Sequence, residues 1–282
     1  MLGKGVRRMP DIAMMRAESG VTYLRASHLP CPHGFSTRLG GVSTHAQTSS
    51  LNLGRGFADD DATVAENLDR FAEAVGFEAA ALVSLRQVHS ARVRIVTAAD
   101  AGLGYGRPTD ETADGYVTCE RGVAIGIRTA DCVPILAVAV DGQGRPYTVG
   151  AFHAGWRGTV AGIAAEGVRQ MVAVGARAEH IRVAIGPCIH ACCFEIDDAA
   201  RDVFVSRLGK TLTDRFVLPT RAGHYHADLV AINLAQLAEV GVARERVAVC
   251  ELCTRCRGDL FWSHRRDGLT RGSMLSAICL PK

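Results

Sequence analysis

The sequence predicts a single α+β domain in which mixed β-sheets are covered by helices. Segments with strand and helix patterning follow one another irregularly along the 282 residues, without the regular alternation of a βαβ repeat. There is no internal repeat and no proline-rich linker, so one domain is expected over residues 1–282. A chain of this length with 48% hydrophobic residues can bury a sizeable core.

The N-terminal part of the chain predicts a long loop followed by one helix. Residues up to about 30 are weakly patterned and predict an irregular or strand-forming lead-in. Residues 33–54 are rich in glycine, serine and threonine and predict a loop of a length that usually has a function. Residues 59–76 predict a helix, because three aspartates supply an N-terminal cap, apolar residues recur at helical spacing and Gly76 provides a stop.

The rest of the chain mixes apolar strand-like runs with helical patterns. Strands are predicted in the middle of the chain at 81–85, 92–97, 115–118, 123–128, 133–140 and 147–152. Later strands are predicted at 181–185, 246–250, 260–264 and 273–280. Apolar residues at helical spacing predict helices at 157–174, 198–208 and 228–240.

Composition and absent motifs exclude several classes of protein. A net charge of +3, with no basic stripe, does not indicate a nucleic-acid partner. The N-terminus lacks the apolar core of a signal peptide, and the longest strongly apolar run, Val133 to Val140, is too short to span a membrane. A cytoplasmic protein with no membrane partner is therefore expected, with its ten cysteines as thiols. Phosphate-binding and dinucleotide-binding glycine loops, HExxH and GxSxG are all missing.

Three residues far apart in the chain are candidate ligands of one metal ion. His89 lies in RQVHSARV, Cys132 in RTADCVPIL and His153 in AFHAGWRG, and each segment adjoins a predicted strand. Two imidazoles and one thiolate suit zinc, and three protein ligands leave a fourth position for water or substrate. The alternative is two ordinary, hydrogen-bonded histidines and a buried thiol.

Two arginines are candidates for binding an anionic part of a substrate. Arg157 opens the predicted helix after His153, and Arg38 lies in the glycine-rich loop. Arginine binds phosphate through paired, charge-assisted hydrogen bonds. The alternative for either residue is a structural or solvent-exposed ion pair.

The remaining cysteines include two clusters of unassigned role. These are Cys188, Cys192 and Cys193, and then Cys250, Cys253 and Cys256, of which the last two have CxxC spacing. Such clusters can hold a structural zinc or act as a redox dithiol. Buried thiols without a ligand are the favoured interpretation, because free cysteine is among the residue types most often buried.

Several separate motifs in one order resemble those of the laccase-domain family. They are HGFSTRLGGVS, SLNLG, RQVH, TADCVPI, AFHAGWRGTV, GPCIHACCFEI and FWSHRRDGLTRG. Bacterial members of that family have been called multicopper polyphenol oxidoreductases and also purine nucleoside phosphorylases. The resemblance runs from about residue 33 to 280, and it departs from the family pattern at His190, where glycine is common.

The resemblance implies a fold, a metal site and an activity. The implied fold is a four-layer α/β/β/α sandwich of mixed sheets, related to a group of cysteine hydrolases. The family's metal triad falls on His89, Cys132 and His153, with Zn²⁺ as the implied metal and Cu²⁺ as the other candidate. The implied activity is phosphorolysis of adenosine, inosine, guanosine and S-methyl-5′-thioadenosine, together with deamination of adenosine. The partners are then purine nucleosides and phosphate, and either a monomer or a homodimer fits.

Two other functions stay open. One is a copper-dependent polyphenol oxidase, although a single HxH pair, His224 and His226, falls short of what a multicopper oxidase needs. The other is a metal-free cysteine amide hydrolase that acts on cell-wall precursors, in which Cys132 is a nucleophile activated by His89 or His153.

Overall fold

The computed structural model describes residues 11–282, which form fifteen β-strands and seven α-helices besides short 3₁₀ turns. The part of the predicted lead-in before residue 11 lies outside the described residues. The strands are β1 (Ile12–Arg16), β2 (Thr22–Ala26), β3 (His33–Ser36), β4 (Leu82–Val83), β5 (Val93–Ile95), β6 (Gly115–Thr118), β7 (Ala124–Thr129), β8 (Val133–Val140), β9 (Pro146–Ala154), β10 (Ile181–Ile185), β11 (Glu195–Asp197), β12 (Val217–Arg221), β13 (His224–Ala227), β14 (Val247–Val249) and β15 (Met274–Cys279). The helices are α1 (Asp61–Val75), α2 (Trp156–Val160), α3 (Ile163–Ala173), α4 (Asp198–Leu208), α5 (Lys210–Phe216), α6 (Leu229–Glu239) and α7 (His264–Asp267).

Two six-stranded mixed sheets form the centre of the fold. The first has the order β1-β2-β3-β15-β7-β4, so that the last of the described strands is inserted between β3 and β7. The second has the order β14-β10-β8-β9-β6-β5, with parallel pairs at its two edges and antiparallel pairs between them. A small antiparallel sheet, β11-β13-β12, completes the described strands.

Alternation along the strands gives each six-stranded sheet two buried faces. On β8, Leu136 and Val138 belong to an apolar cluster shared with the first sheet, including Phe35 and Ile125. The β8 side chains that point the other way belong instead to a cluster with α3 and α6; they are Val133, Ile135, Ala137 and Ala139. A third cluster packs α1 against the outer face of the first sheet. The mixed α+β class is confirmed, while the complete four-layer arrangement and the likeness to cysteine hydrolases stay predictions.

Capping side chains and glycines with positive φ set the boundaries of the helices. The Asp60 carboxylate accepts a hydrogen bond from the backbone N–H of Thr63 at 2.7 Å, and Gly76 ends α1 at φ 94°. The single helix predicted over 157–174 is wrong, because Gly162 adopts φ 84° and separates α2 from α3.

Other boundaries also differ from prediction. The strand predicted at 260–264 is wrong: Ser263 accepts a hydrogen bond from the backbone N–H of Arg266 and so caps α7. The predicted loop 33–54 begins with β3 instead of irregular chain. The strands β11 to β13 and helix α5 were not predicted. None of the helices within residues 11–282 combines the length and the apolar character needed to cross a membrane.

Candidate metal centre

His89, Cys132 and His153, here called the ligand cluster, come together although they are distant in sequence. One ligand atom from each residue lies within 4.8 Å of the other two. Cys132 directly precedes β8 and His153 lies in β9, where Val133 pairs with Ala154 and places the two side chains side by side. His89 comes from the loop between β4 and β5, and its ring centroid is 4.9 Å from that of His153.

Asp114, which sequence reasoning missed, holds two members of the ligand cluster in place. Its carboxylate is fully buried and accepts hydrogen bonds from His153 Nδ1 and from the backbone N–H of His89, both at 2.9 Å. It also accepts from the backbone N–H and the hydroxyl of Ser90, each at 2.7 Å. Because a carboxylate only accepts, His153 carries a proton on Nδ1, and Nε2 is the nitrogen that can bind a metal when its own proton is displaced.

The electrostatics of the site favour a thiolate. Burial would raise the pKa of the Cys132 thiol, but His153 and His89 outweigh it and lower that pKa to about 6. Burial would lower the pKa of His153, but Cys132 and Asp114 raise it to about 9. Burial likewise opposes ionisation of Asp114, yet hydrogen bonds from His153 and Ser90 lower its pKa to about 2. A thiolate beside imidazole groups is both a metal ligand and a nucleophile.

The backbone around the ligand cluster is held in unusual conformations. His89 has φ 59° and Asp131 has φ 99°, both in the region that favours glycine. Asp131 is fixed by hydrogen bonds to its carboxylate from Thr254 Oγ1 at 2.6 Å and from the backbone N–H of Arg265 at 2.7 Å. A Cβ at Gly155 would lie 2.7 Å from His89 Cδ2, so only glycine allows this close approach.

The ligand cluster lies in a cavity of about 580 Å³, a size typical of small-molecule sites. Three aromatic residues line it: Phe57, Trp156 and Phe194. Six arginines also line it: Arg55, Arg86, Arg128, Arg157, Arg265 and Arg271. This combination suits a ligand with a flat ring and an anionic group.

The two arginines singled out in the sequence have different positions. Arg157 lines the cavity, and its guanidinium lies over the Trp156 ring, 4.3 Å from the centroid. Arg38 is not among the lining residues. Its guanidinium donates to the carbonyl of Ser49 at 3.0 Å and to that of Gly258 at 3.1 Å, and these contacts fasten the loop that follows β3. A substrate-binding role for either arginine stays a prediction.

A second group of side chains that could hold a metal ion lies outside the ligand cluster. The Sγ atoms of Cys192, Cys193, Cys253 and Cys256 all lie within 4.8 Å of one another. The sequence indicated these residues only as part of two unassigned clusters. The signal available in the sequence was the CxxC spacing of Cys253 and Cys256. The favoured interpretation of these cysteines as plain buried thiols does not fit Cys192 and Cys256, which are exposed.

Known proteins match nearly the whole chain. The family described as multi-copper polyphenol oxidoreductase laccase matches residues 32–281. The purine nucleoside phosphorylase YlmD of Geobacillus stearothermophilus is 39% identical over 285 residues, covering 96% of this chain and 97% of that protein. The adenosine deaminase RL5, from an unknown prokaryotic organism, is 36% identical over 246 residues, covering 86% of this chain and 92% of that protein.

The fold agrees with the sequence comparison. The crystal structure of YlmD from Geobacillus stearothermophilus superposes with a TM-score of 0.83 and 35% identity, covering 97% of this chain and 100% of that chain. The matched range confirms the resemblance expected from the motifs. On the sequence match and the shared fold together, the chain belongs to the multi-copper polyphenol oxidoreductase laccase family.

Proposed function

We propose that the protein is a metal-dependent enzyme of purine nucleosides. It would cleave adenosine, inosine, guanosine and S-methyl-5′-thioadenosine with phosphate and would deaminate adenosine. The observation that carries the proposal is the ligand cluster within one cavity whose walls are aromatic and cationic. The names of the relatives YlmD and RL5 support purine nucleosides as the substrate class.

The donor set of the ligand cluster suits zinc. His89 and His153 offer imidazole nitrogens, Cys132 offers a thiolate, and Asp114 orients the His153 ring through Nδ1. Three protein ligands leave one position open, as in catalytic zinc sites. Zinc held there would supply an acidified water or polarise a substrate oxygen. Imidazole and thiolate also bind copper, so the ion itself has to be measured.

The cavity walls supply binding groups for the two reactants. Trp156 and Phe194 supply aromatic surface in the cavity wall against which a purine can pack. Arg86 and Arg157 are exposed and, within residues 11–282, their guanidinium groups make no hydrogen bond or ion pair with a protein side chain or carbonyl, although that of Arg157 lies over the Trp156 ring. They are therefore available to hold phosphate beside the nucleoside, whereas Arg265 already donates to the carbonyl of Glu195 at 2.8 Å.

The test combines metal analysis with product analysis. Protein purified without added metal is assayed on a panel of nucleosides with and without phosphate, before and after chelation. Free base and ribose 1-phosphate appearing only with phosphate would support phosphorolysis, and inosine formed from adenosine without phosphate would support deamination. Failure to convert any nucleoside by protein that carries zinc in the ligand cluster would overturn the proposal.

Matched variants locate the activity. Cys132→Ala should abolish turnover, while Cys119→Ala, which changes an exposed thiol outside the cavity, should not. Arg157→Ala should raise the KM for phosphate with zinc content unchanged. Arg207→Ala, at an exposed arginine of α4 that does not line the cavity, is its control. Equal KM values for the two arginine variants would remove Arg157 from the substrate site.

A second function is favoured by one observation. Cys132, His153 and Asp114 follow the order of nucleophile, base and orienting carboxylate found in cysteine hydrolases. This order supports a metal-free amide hydrolase acting on cell-wall precursors. In that case chelated protein cleaves an amide substrate and His89→Ala keeps the activity, whereas a metal enzyme loses activity in both experiments.

A further inference from the structure

Four cysteines form a compact group beside the cavity but outside the ligand cluster. Cys192 and Cys193 lie in the loop after β10, and Cys253 and Cys256 lie in the loop after β14. Since β10 and β14 are adjacent and parallel, their carboxyl ends lie side by side, and both loops start from the same end of these strands. We call these four residues the cysteine cluster.

The sulfur positions match a tetrahedral metal site. The Sγ atoms of Cys192 and Cys193 are 3.7 Å apart, those of Cys192 and Cys256 are 3.9 Å apart, and those of Cys193 and Cys256 are 3.4 Å apart. A tetrahedron with zinc–sulfur bonds of about 2.3 Å has sulfurs about 3.8 Å apart. The fourth sulfur, of Cys253, lies within 4.8 Å of the others. Small adjustments of side-chain torsions would therefore complete the site.

Two of the four sulfurs accept hydrogen bonds from groups that can balance the charge of a metal-bound thiolate. The backbone N–H of His190 donates to Cys253 Sγ at 3.5 Å, and the Arg255 guanidinium donates to Cys193 Sγ at 3.5 Å. Donors of this kind stabilise thiolates and balance the negative charge of four sulfurs around a divalent ion. Four thiolates complete a tetrahedral shell, so the site needs no carboxylate ligand.

We propose that the cysteine cluster binds a second zinc ion, distinct from the ion of the ligand cluster, in a closed structural site. Four thiolates fill a tetrahedral shell and leave no position for substrate. Binding of the ion displaces the remaining thiol protons to solvent and changes no oxidation state. The proposal does not depend on the proposed catalytic function.

The second ion would stiffen one wall of the cavity. Phe194, which lines the cavity, directly follows Cys193. Thr254 directly follows Cys253 and donates to the carboxylate of Asp131, the residue before Cys132. Tying the two loops together with metal–sulfur bonds therefore restrains both the wall and the segment that presents Cys132.

The test counts zinc per chain in reduced protein purified without added metal. The double variant Cys192→Ser/Cys256→Ser changes two exposed residues and should lose one equivalent relative to the parent. Cys119→Ser is the control and should lose none. Cys132→Ala removes the charged ligand of the ligand cluster and should lose a different equivalent, so that combining it with the double variant leaves protein without zinc. If the ligand cluster binds no metal, the parent has one equivalent and only the cysteine-cluster variant loses it.

Two outcomes would overturn the second site. One is a zinc content that the double variant leaves unchanged. The other is a Cys193–Cys256 disulfide in protein kept anaerobic throughout purification without added metal, detected by non-reducing peptide mapping. Cobalt loaded into the Cys132→Ala variant gives a measurement that does not rely on a cysteine-cluster variant folding. It should show the intense thiolate-to-cobalt absorption of a four-sulfur tetrahedral site, and its absence would contradict the proposal.

Discussion

Replacing Asp114 by asparagine tests how far the ligand cluster depends on its buried support. The carboxylate accepts from His153 Nδ1, from the backbone N–H groups of His89 and Ser90 and from the Ser90 hydroxyl. Asparagine has nearly the same shape, but it has one acceptor oxygen and one NH₂ donor. The NH₂ group of the asparagine must then face hydrogen-bond donors that the carboxylate oxygen had accepted from.

The structure indicates which orientation the amide takes and what it costs. With its NH₂ toward Ser90, the serine hydroxyl can rotate to accept, and one backbone N–H loses its partner. With its NH₂ toward His153, both the imidazole and the backbone of His89 lose theirs. The first orientation is therefore expected, at about 1–3 kcal/mol for one unsatisfied buried donor. Burial opposes ionisation of Asp114, yet hydrogen bonds from His153 and Ser90 lower its pKa to about 2, so the same contacts favour the charged carboxylate over a neutral group.

The loss of the Asp114 charge is also expected to lower the metal affinity of the ligand cluster, because the carboxylate orients His153. Removing the carboxylate behind a ligating histidine costs about 10–100-fold in metal affinity. Urea unfolding measures the change in stability, and competition with a chromophoric chelator measures zinc affinity. Asp110→Asn, at an exposed residue four positions earlier, is the matched control. Wild-type stability and zinc affinity in Asp114→Asn would refute the account of how the ligand cluster is supported.

Three further predictions concern the core and the chemistry. The buried His33 donates from Nδ1 to the Cys31 carbonyl and accepts from the Ala26 N–H, and burial lowers its pKa to about 4. The unfolded state then binds the extra proton, so stability should fall as pH drops from 6.5 toward 4, by about 3 kcal/mol in total, and His33→Gln should flatten that slope in urea titrations. Gly167→Ala would place a Cβ 2.5 Å from the Phe152 ring and should lower stability by about 1–3 kcal/mol, whereas Gly142→Ala meets no atom within 4 Å and should be near neutral by the same measurement. Phenol oxidation should be minor and should vanish when zinc is the only metal supplied, since zinc has no redox chemistry, and oxidation as fast as inosine cleavage by the same preparation would favour the oxidase.

Elements whose pattern is local could be predicted from the sequence. The predicted strand 181–185 coincides with β10, and the predicted helix 198–208 coincides with α4. By contrast, the residues of β13 are mostly half-buried and show no clean alternation, so they carry no strand signal. The break at Gly162 was missed because apolar residues keep helical spacing on both sides of it.

The candidate site could be predicted only in part. The ligand cluster was named because its members lie in specific motifs, whereas Asp114 is a single acid between Ala113 and Gly115 with no spacing to mark it. The approach of Cys193 to Cys256 depends on the parallel pairing of β10 with β14, which one sequence does not show. The contacts of Arg38 with Ser49 and Gly258 could not be predicted, because side-chain direction inside a loop cannot be inferred from composition, and its substrate-binding role stays a prediction.

The insertion of β15 between β3 and β7 sets the order in which parts of the fold can be completed during synthesis. Every member of the ligand cluster, and Asp114 with them, precedes residue 154 and is therefore synthesised before β15. The centre of the first sheet, however, has to wait for residues 274–279, which are made after all of these ligands. A chain that stops short of β15 would therefore carry all the ligands of the ligand cluster and still leave β3 and β7 without the strand that joins them.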